Sequence, residues 1–117
     1  MPTLLTLLGR AAGSALMRAA LEEVKAEGAL DRLEEGLKLI LSRFMEFSAS
    51  KVKVDGEEAL ETKSTCPIYS LYPAWCEEAC IAMAESMARQ VDPRFKVERL
   101  ERRPTSTHCA FRFRLSP

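Results

Sequence analysis

The sequence predicts an α+β fold, with an antiparallel four-stranded sheet and helices packed on one face of it. Residues 1–47 have the apolar spacing of helices, and residues 48–117 have mainly the alternation of strands, around one further helix. The strands come in two consecutive pairs, an order typical of antiparallel hairpins. A length of 117 residues suits one domain. We therefore expect a single domain over residues 1–117, with a helical N-terminal part (1–47) and a ββαββ part (48–117) that holds the cysteines.

The charge balance bears on the class of partner. The chain has 17 Lys and Arg against 17 Asp and Glu, so its net charge is zero. A neutral protein has no long-range attraction for nucleic acids, and it does little to oppose self-association. Arg10 interrupts the apolar N-terminal run, and no apolar stretch reaches about 18 residues. We expect a cytoplasmic protein with no nucleic-acid partner and no membrane span.

Two small residues mark the first predicted helix, about Pro2 to Ala26. Gly9 and Gly13 are four residues apart on one helix face, where another backbone can come close. Two interpretations stay open: tight packing within the same chain, or contact with the same helix of a second copy. The second interpretation predicts a homodimer.

A second helix and a hairpin follow. Apolar residues at helical spacing predict the helix from about Ala29 to Phe47. Asp55-Gly56 is the strongest hairpin signal in the chain, and it joins a strand over Ser48–Val54 to a return strand over Glu58–Thr65. Because the return strand is polar, we expect it at an edge of the sheet or half-exposed.

The remaining chain predicts one more helix and two more strands. Pro67 and Pro73 bracket an apolar segment in which we expect no regular element. Pro73 begins a third helix that runs to Val91. The last strands are predicted at Phe95–Leu100 and Cys109–Leu115. Arginines in and between these strands predict a solvated outer sheet face: Arg99, Arg102, Arg103, Arg112 and Arg114.

Four cysteines are the distinctive feature of the sequence. Cys76 and Cys80 are one turn apart on the third helix, Cys66 precedes that helix, and Cys109 begins the last strand on its apolar face. If that strand packs beneath the helix, the four sulfur atoms converge and could bind zinc tetrahedrally, with an iron–sulfur cluster as the alternative. The same positions also suit inert core thiols, or a reactive thiol near the helix start. The residues leave these interpretations open.

A ligand pocket beside the cysteines is the second prediction for this region. Aromatic rings near the start of the third helix and methionines later in it could form apolar walls. The only histidine lies next to the last cysteine. Each of these residues also has a simpler interpretation as a packing or surface residue. The predicted pocket residues are Tyr69, Tyr72, Trp75, Met83, Met87 and His108.

Several short motifs between Val52 and Leu115 resemble those of a known family. They are the Asp55-Gly56-Glu57 hairpin, Cys66-Pro67, a helix with Cys76 and Cys80, and a strand that begins His108-Cys109. This combination is similar to the 4-vinyl-reductase domain, a small-molecule-binding α+β module, and to the related L-2-amino-thiazoline-4-carboxylate hydrolases. The resemblance implies a pocket near the cysteines, a metal there and frequent homodimers. Thr105-Ser106 stands where such families usually have Gly-Asp, so that turn must differ.

These features predict a small-molecule- or metal-binding sensor or accessory domain with a four-cysteine site. One alternative is a small cysteine-dependent hydrolase acting on a thiol- or thiazoline-type substrate, suggested by the resemblance and by the position of Cys76. Another is a structural dimeric subunit that pairs through its first helix. The sequence leaves open whether the chain is an enzyme, and the lack of a complete catalytic set favours binding.

Overall fold

The two N-terminal helices are present and shorter than predicted. In the computed structural model, which describes residues 3–65, 67–101 and 108–115, α1 spans Leu4–Leu21 and α2 spans Ala29–Leu41. The Thr3 hydroxyl begins α1 by accepting a hydrogen bond from the Thr6 N–H at 3.1 Å. The second helix ends before Phe47 because that residue belongs to the first strand, where it pairs with Ser64.

The predicted hairpin is present. Strand β1 spans Phe47–Val54 and β2 spans Glu57–Ser64, and they pair antiparallel along their whole length. Asp55 and Gly56 connect them with φ angles of 53° and 83°. Such positive φ values at both turn residues are what a two-residue hairpin turn of the Asp-Gly kind requires.

The prolines and the third helix differ from the prediction. The segment between Pro67 and Pro73 contains a short helix, α3 (Ile68–Leu71), where we expected none. The third helix is divided at Ala79 into α4 (Pro73–Glu78) and α5 (Cys80–Val91). Backbone hydrogen bonds continue through the division, since the Ala79 N–H donates to the Trp75 carbonyl and the Ala79 carbonyl accepts from Met83. The division coincides with the place where α1 crosses.

The four strands form one antiparallel sheet, which confirms the predicted fold class. Strands β3 (Phe95–Glu101) and β4 (Cys109–Leu115) pair with each other, and β4 also pairs with β2, giving the order β1-β2-β4-β3. Helices α2 and α5 pack against the sheet, and α1 lies mainly on α5. The largest fully buried side chains lie between these layers: Met17, Leu33, Leu37, Leu60, Phe95 and Phe113.

Strand β2 is central, so an edge position was wrong, whereas the alternative expectation of a half-exposed strand is confirmed by its burial pattern. Leu60 is fully buried and Thr62 is 6% exposed on the face that the helices cover. Charged residues of this strand lie on the opposite face, where Glu61 binds Arg112 of the neighbouring strand. In contrast, Thr62 and Ser64 share the inner face with Leu60. Polar composition on one face of a strand therefore gave no information about its neighbours.

Gly9 and Gly13 pack within the chain. A Cβ atom on Gly9 would lie 2.6 Å from the Ala79 carbonyl oxygen, and one on Gly13 would lie 2.5 Å from the Met83 carbonyl oxygen. Real Cβ atoms do not come so close to backbone atoms, so only glycine permits this approach. The structure therefore supports the first interpretation of these glycines, which is tight packing within the same chain.

Helix α1 is also long and apolar enough to cross a membrane, by length and composition only. It has 18 residues with a mean hydropathy of 1.2. In the structure its Gly9, Gly13, Met17 and Ala20 are buried. These buried residues are 22% of the window, and both the core helix of a soluble protein and a signal sequence near the N-terminus pass the same test, so the composition does not identify a membrane span.

The outer face of the sheet is charged, as predicted for Arg112 and Arg114. Arg112 contacts Glu61 at 2.7 Å, and Arg114 contacts Glu98 at 3.5 Å. Arg99 does not belong to this face, because it aligns with Phe95 and Val97 on the side that the helices cover. Arg102 and Arg103 lie outside the described residues.

Candidate functional site

The inner face of the sheet arranges the side chains of the candidate site in rows. The strand register places Phe47, Ser64 and Cys109 side by side across β1, β2 and β4. The next row on the same face includes Thr62 and Phe111. Residues directly opposite each other on adjacent strands have Cβ atoms about 4.5–5.5 Å apart. Two hydroxyls, one thiol and two aromatic rings therefore lie together on this surface.

A cavity of about 80 Å³ lies between these rows and the helices. Helix α2 covers one side with Leu37 and Leu41, and α5 covers another with Met83 and Met87. Apolar atoms make up most of its surface. The described residues that line it are Leu37, Leu41, Met45, Phe47, Thr62, Ser64, Ile68, Trp75, Cys80, Met83, Ala84, Met87, Cys109, Phe111 and Phe113.

Among these lining residues, none carries a charged side chain, and Thr62 is the buried polar one. Thr62 is 6% exposed, and within the described part of the chain its hydroxyl takes part in no hydrogen bond. Ser64 lines the same cavity and is more accessible. The cavity can thus offer hydrogen-bonding oxygens in an otherwise apolar space.

The cysteines divide into two groups. Cys80, the first residue of α5, and Cys109, the first residue of β4, both line the cavity. Cys76 is buried in α4 and is not among the described lining residues. The predicted fourth member, Cys66, lies outside the described residues.

The metal prediction receives no support from the three described cysteines. Within residues 3–65, 67–101 and 108–115, no group of three or more His, Cys, Asp or Glu side chains could hold a metal ion. Two thiols at one cavity are fewer than the four ligands of a structural zinc site. The four-cysteine zinc or iron–sulfur site, which also needs Cys66, stays a prediction.

The predicted pocket residues fall in different places. Trp75, Met83 and Met87 line the cavity. Tyr69 and Tyr72 are not among the described lining residues, and Tyr72 is 51% exposed. His108 borders a more open groove that adjoins the cavity, since Phe47 and Ser64 line both.

The contributions of α2 and β2 to the site were not apparent from the sequence. Leu37 and Leu41 fell on the apolar face of the second predicted helix, and Thr62 stood in a strand expected at an edge of the sheet or half-exposed. One signal was available: Thr62 and Leu60 are two residues apart and must share a face in any strand. Placing that strand centrally would have put Thr62 in the core.

Arg99 supports the wall of the cavity from behind. Its guanidinium carbon lies 5.5 Å from the ring centre of Phe111, and Phe111 itself lines the cavity. One terminal nitrogen, Nη2, donates to the Cys76 carbonyl at 3.0 Å, which ties α4 to β3. Within the part of the chain that the structure describes, its Nε atom is buried without a hydrogen-bond partner. Arg99 therefore fixes Phe111 and α4 relative to each other.

No family model matches this chain, and neither a curated protein nor a solved structure matches it. The resemblance to the 4-vinyl-reductase domain therefore stays a prediction. Any functional conclusion depends on the cavity and the surfaces described above.

Proposed function

We propose that this domain binds a small, largely apolar molecule in the cavity between the sheet and helices α2 and α5. The observation that carries the proposal is the cavity itself, of about 80 Å³ with uncharged walls among the described residues. The space is partly open to solvent, so water reaches its apolar walls. A ligand that filled it would remove this apolar surface from water.

The walls define the class of ligand. Water needs about 10–15 Å³ of such volume, so the cavity accepts about five to eight non-hydrogen atoms. Methionine and cysteine sulfur atoms, at Met83, Met87 and Cys80 among others, adapt to the shape of an apolar group. A charged ligand would lose its hydration without gaining a partner. An uncharged molecule of about the size of benzene fits these limits.

Binding is a better description than catalysis for this site. A cysteine nucleophile needs a nearby base, and the described lining residues include no histidine or carboxylate. A site with binding groups and no acid–base pair suits a sensing or accessory role. This argument favours the ligand-binding proposal over the cysteine-dependent hydrolase.

Thermal unfolding with benzene as the probe tests this proposal. Ligand that binds only the folded state stabilises it by RT ln(1 + [L]/Kd), so the melting temperature should rise with benzene concentration. The series Ala84→Gly, wild type, Ala84→Val and Ala84→Leu progressively fills the cavity from α5. We expect the benzene-induced shift to fall along this series, with circular dichroism confirming that each variant is folded. Equal shifts in all four proteins, or no shift in wild type, would contradict the proposal.

A second proposal concerns oligomeric state: we propose that two copies pair antiparallel through α1. The side of α1 that faces away from α5 exposes Leu4 by 73% and Leu7 and Leu8 by 49% each. Ala11, Ala15 and Ala19 continue this exposed surface toward the helix end. An apolar face of this length on a chain without net charge is typical of an interaction surface.

Self-complementarity is the reason for choosing a second copy as the partner. Leu4, Leu8, Ala11 and Ala15 are spaced four, three and four residues apart, which is the spacing of a helix–helix seam, and Arg18 lies beyond its end. Large side chains occupy its first half and alanines its second half. An antiparallel two-fold pair brings the leucines of each copy onto the alanines of the other, with charged residues at the rim.

Sedimentation equilibrium at micromolar concentration tests the dimer. We expect wild type to be dimeric and Leu8→Glu to be monomeric, because the charge would be buried at the seam. Leu100→Glu is the matched control, since Leu100 is 41% exposed on the sheet and lies off the α1 face. A monomeric wild type, or a Leu8→Glu dimer as stable as wild type, would contradict this proposal.

A further inference from the structure

The Thr62 hydroxyl is a polar group of the cavity to which a purely apolar ligand would supply no hydrogen-bond partner. The residue is 6% exposed, and the hydroxyl has no hydrogen-bond partner among the described residues. The side chain lies on the cavity-lining face of a central strand, between Ala49 and Phe111 in the register. Its neighbours across the sheet therefore supply no polar group.

Among the described residues, the fully buried side-chain polar atom without a partner is Arg99 Nε, so the Thr62 hydroxyl keeps some accessible surface. A molecule in the space beside Thr62 can therefore reach the hydroxyl and form a hydrogen bond with it. Threonine and valine have nearly the same shape, so Thr62→Val removes this group with little change in volume. The partner of this hydroxyl is then an occupant of the cavity, or water in the open groove that Thr62 also borders.

We propose that Thr62 is the specificity-determining contact for a neutral ligand that carries one hydrogen-bonding oxygen, such as a small cyclic alcohol or ketone. This inference rests on the proposed function, because it assigns a polar group to the ligand of the same cavity. The hydroxyl can donate to a ketone oxygen or exchange a hydrogen bond with an alcohol. The apolar remainder of the ligand lies against the side chains of α2 and α5.

Charge sets the boundary of the ligand class. The described lining residues include no cationic side chain that could pair with an anion. The nearby Arg99 guanidinium lies against Phe111, with its Nη2 donating to the Cys76 carbonyl, and Arg99 is not among the described lining residues. A carboxylate in the cavity would therefore be buried without a counter-ion. We expect neutral alcohols and ketones to bind, and carboxylates of the same size not to bind.

The test compares a matched pair of probes in wild type and Thr62→Val. Cyclohexanone and methylenecyclohexane have nearly the same shape and differ in having an oxygen or a CH₂ group at one position. Titration calorimetry gives the ratio of their dissociation constants in each protein. We expect the preference for cyclohexanone over methylenecyclohexane to be about 5- to 10-fold larger in wild type than in Thr62→Val. This factor corresponds to the free energy that one hydrogen bond contributes. Thr62→Ser, which keeps the hydroxyl, should retain the wild-type preference.

The possible results distinguish a failure of the Thr62 contact from a failure of the ligand-binding proposal. If both probes bind and Thr62→Val leaves the ratio unchanged, the Thr62 contact is wrong and the cavity proposal stands. If neither probe binds wild type, the cavity proposal itself fails. Binding of cyclohexanecarboxylate as tight as that of cyclohexanone would also overturn the inference.

Discussion

Gly13 of α1 lies directly against the backbone of Met83 in α5, with 2.5 Å between the Met83 carbonyl oxygen and the place of a Cβ atom on Gly13. The contact holds α1 on the helix that forms one wall of the cavity. We predict that Gly13→Ala lowers the free energy of unfolding by about 1–3 kcal/mol, because a backbone carbonyl cannot move aside. Urea denaturation measures this loss.

Gly36 of α2 provides the control for Gly13. A Cβ atom there would lie 2.6 Å from the Met17 sulfur, which is near the end of a flexible side chain. Since this neighbour can change its rotamer, we expect Gly36→Ala to be less destabilising than Gly13→Ala by about 1 kcal/mol or more. Equal losses would show that the close approach of α1 to α5 does not determine the effect.

The exposure of the cysteines predicts an order of alkylation. Cys76 and Cys109 are 4% and 5% exposed, whereas Cys80 is more accessible. We expect iodoacetamide to modify Cys80 first in the native protein, with each cysteine followed on its own peptide by mass spectrometry. Because Cys80 lines the cavity, saturating benzene should slow its modification. Faster modification of Cys76 than of Cys80 would contradict the burial described above.

Asp92 gives the protein a specific acid sensitivity. Hydrogen bonds from the Arg94 side chain and backbone N–H lower the pKa of the Asp92 carboxyl from its usual 3.8 to about 2. Between these values the unfolded chain binds more protons at this residue than the folded one, so stability rises with pH across this window. We predict that Asp92→Asn gives a shallower dependence of the urea midpoint on pH from about 4 down to about 2. The same slope in both proteins would contradict the lowered pKa.

The ion pair between Glu61 and Arg112 should be measurable in spite of its partial exposure. Both Nε and Nη2 of Arg112 contact Glu61 Oε2, at 2.8 and 2.7 Å, across directly paired residues of β2 and β4. A double-mutant cycle with Glu61→Gln and Arg112→Gln should give a coupling energy of about 0.5–1 kcal/mol that falls with added salt. A coupling near zero at low salt would show that the pair contributes no stability.

Periodicity alone was enough to predict most of the fold. The helical spacing of α1 and α2, the Asp55-Gly56 turn and the alternation in β4 are local signals, and each of these elements is present. The division of the third helix at Ala79 was not predictable, because it coincides with contact to Gly9 of a distant helix. Strand order could not be predicted from local signals either, because the central position of β2 depends on its pairing with β4.

The location of the candidate site could be predicted from the sequence better than the set of residues that line it. Inward-facing Met83, Met87 and Cys109 followed from helix and strand periods, and they do line the cavity. Cys76 and Cys80 are one turn apart and looked equivalent, yet only Cys80 is among the described lining residues, because the helix is divided between them. Thr62 was missed because a strand's neighbours cannot be read from its own composition.

Amide chemical shifts of the labelled protein during a benzene titration test the central claim most directly. If the cavity binds small apolar molecules, the shifts should saturate and be largest at residues around it, including Thr62, Met83 and Phe111, with little change at Lys96 and Glu98 on the outer sheet face. Shifts that fail to saturate, or that concentrate on the exposed face of α1, would contradict it.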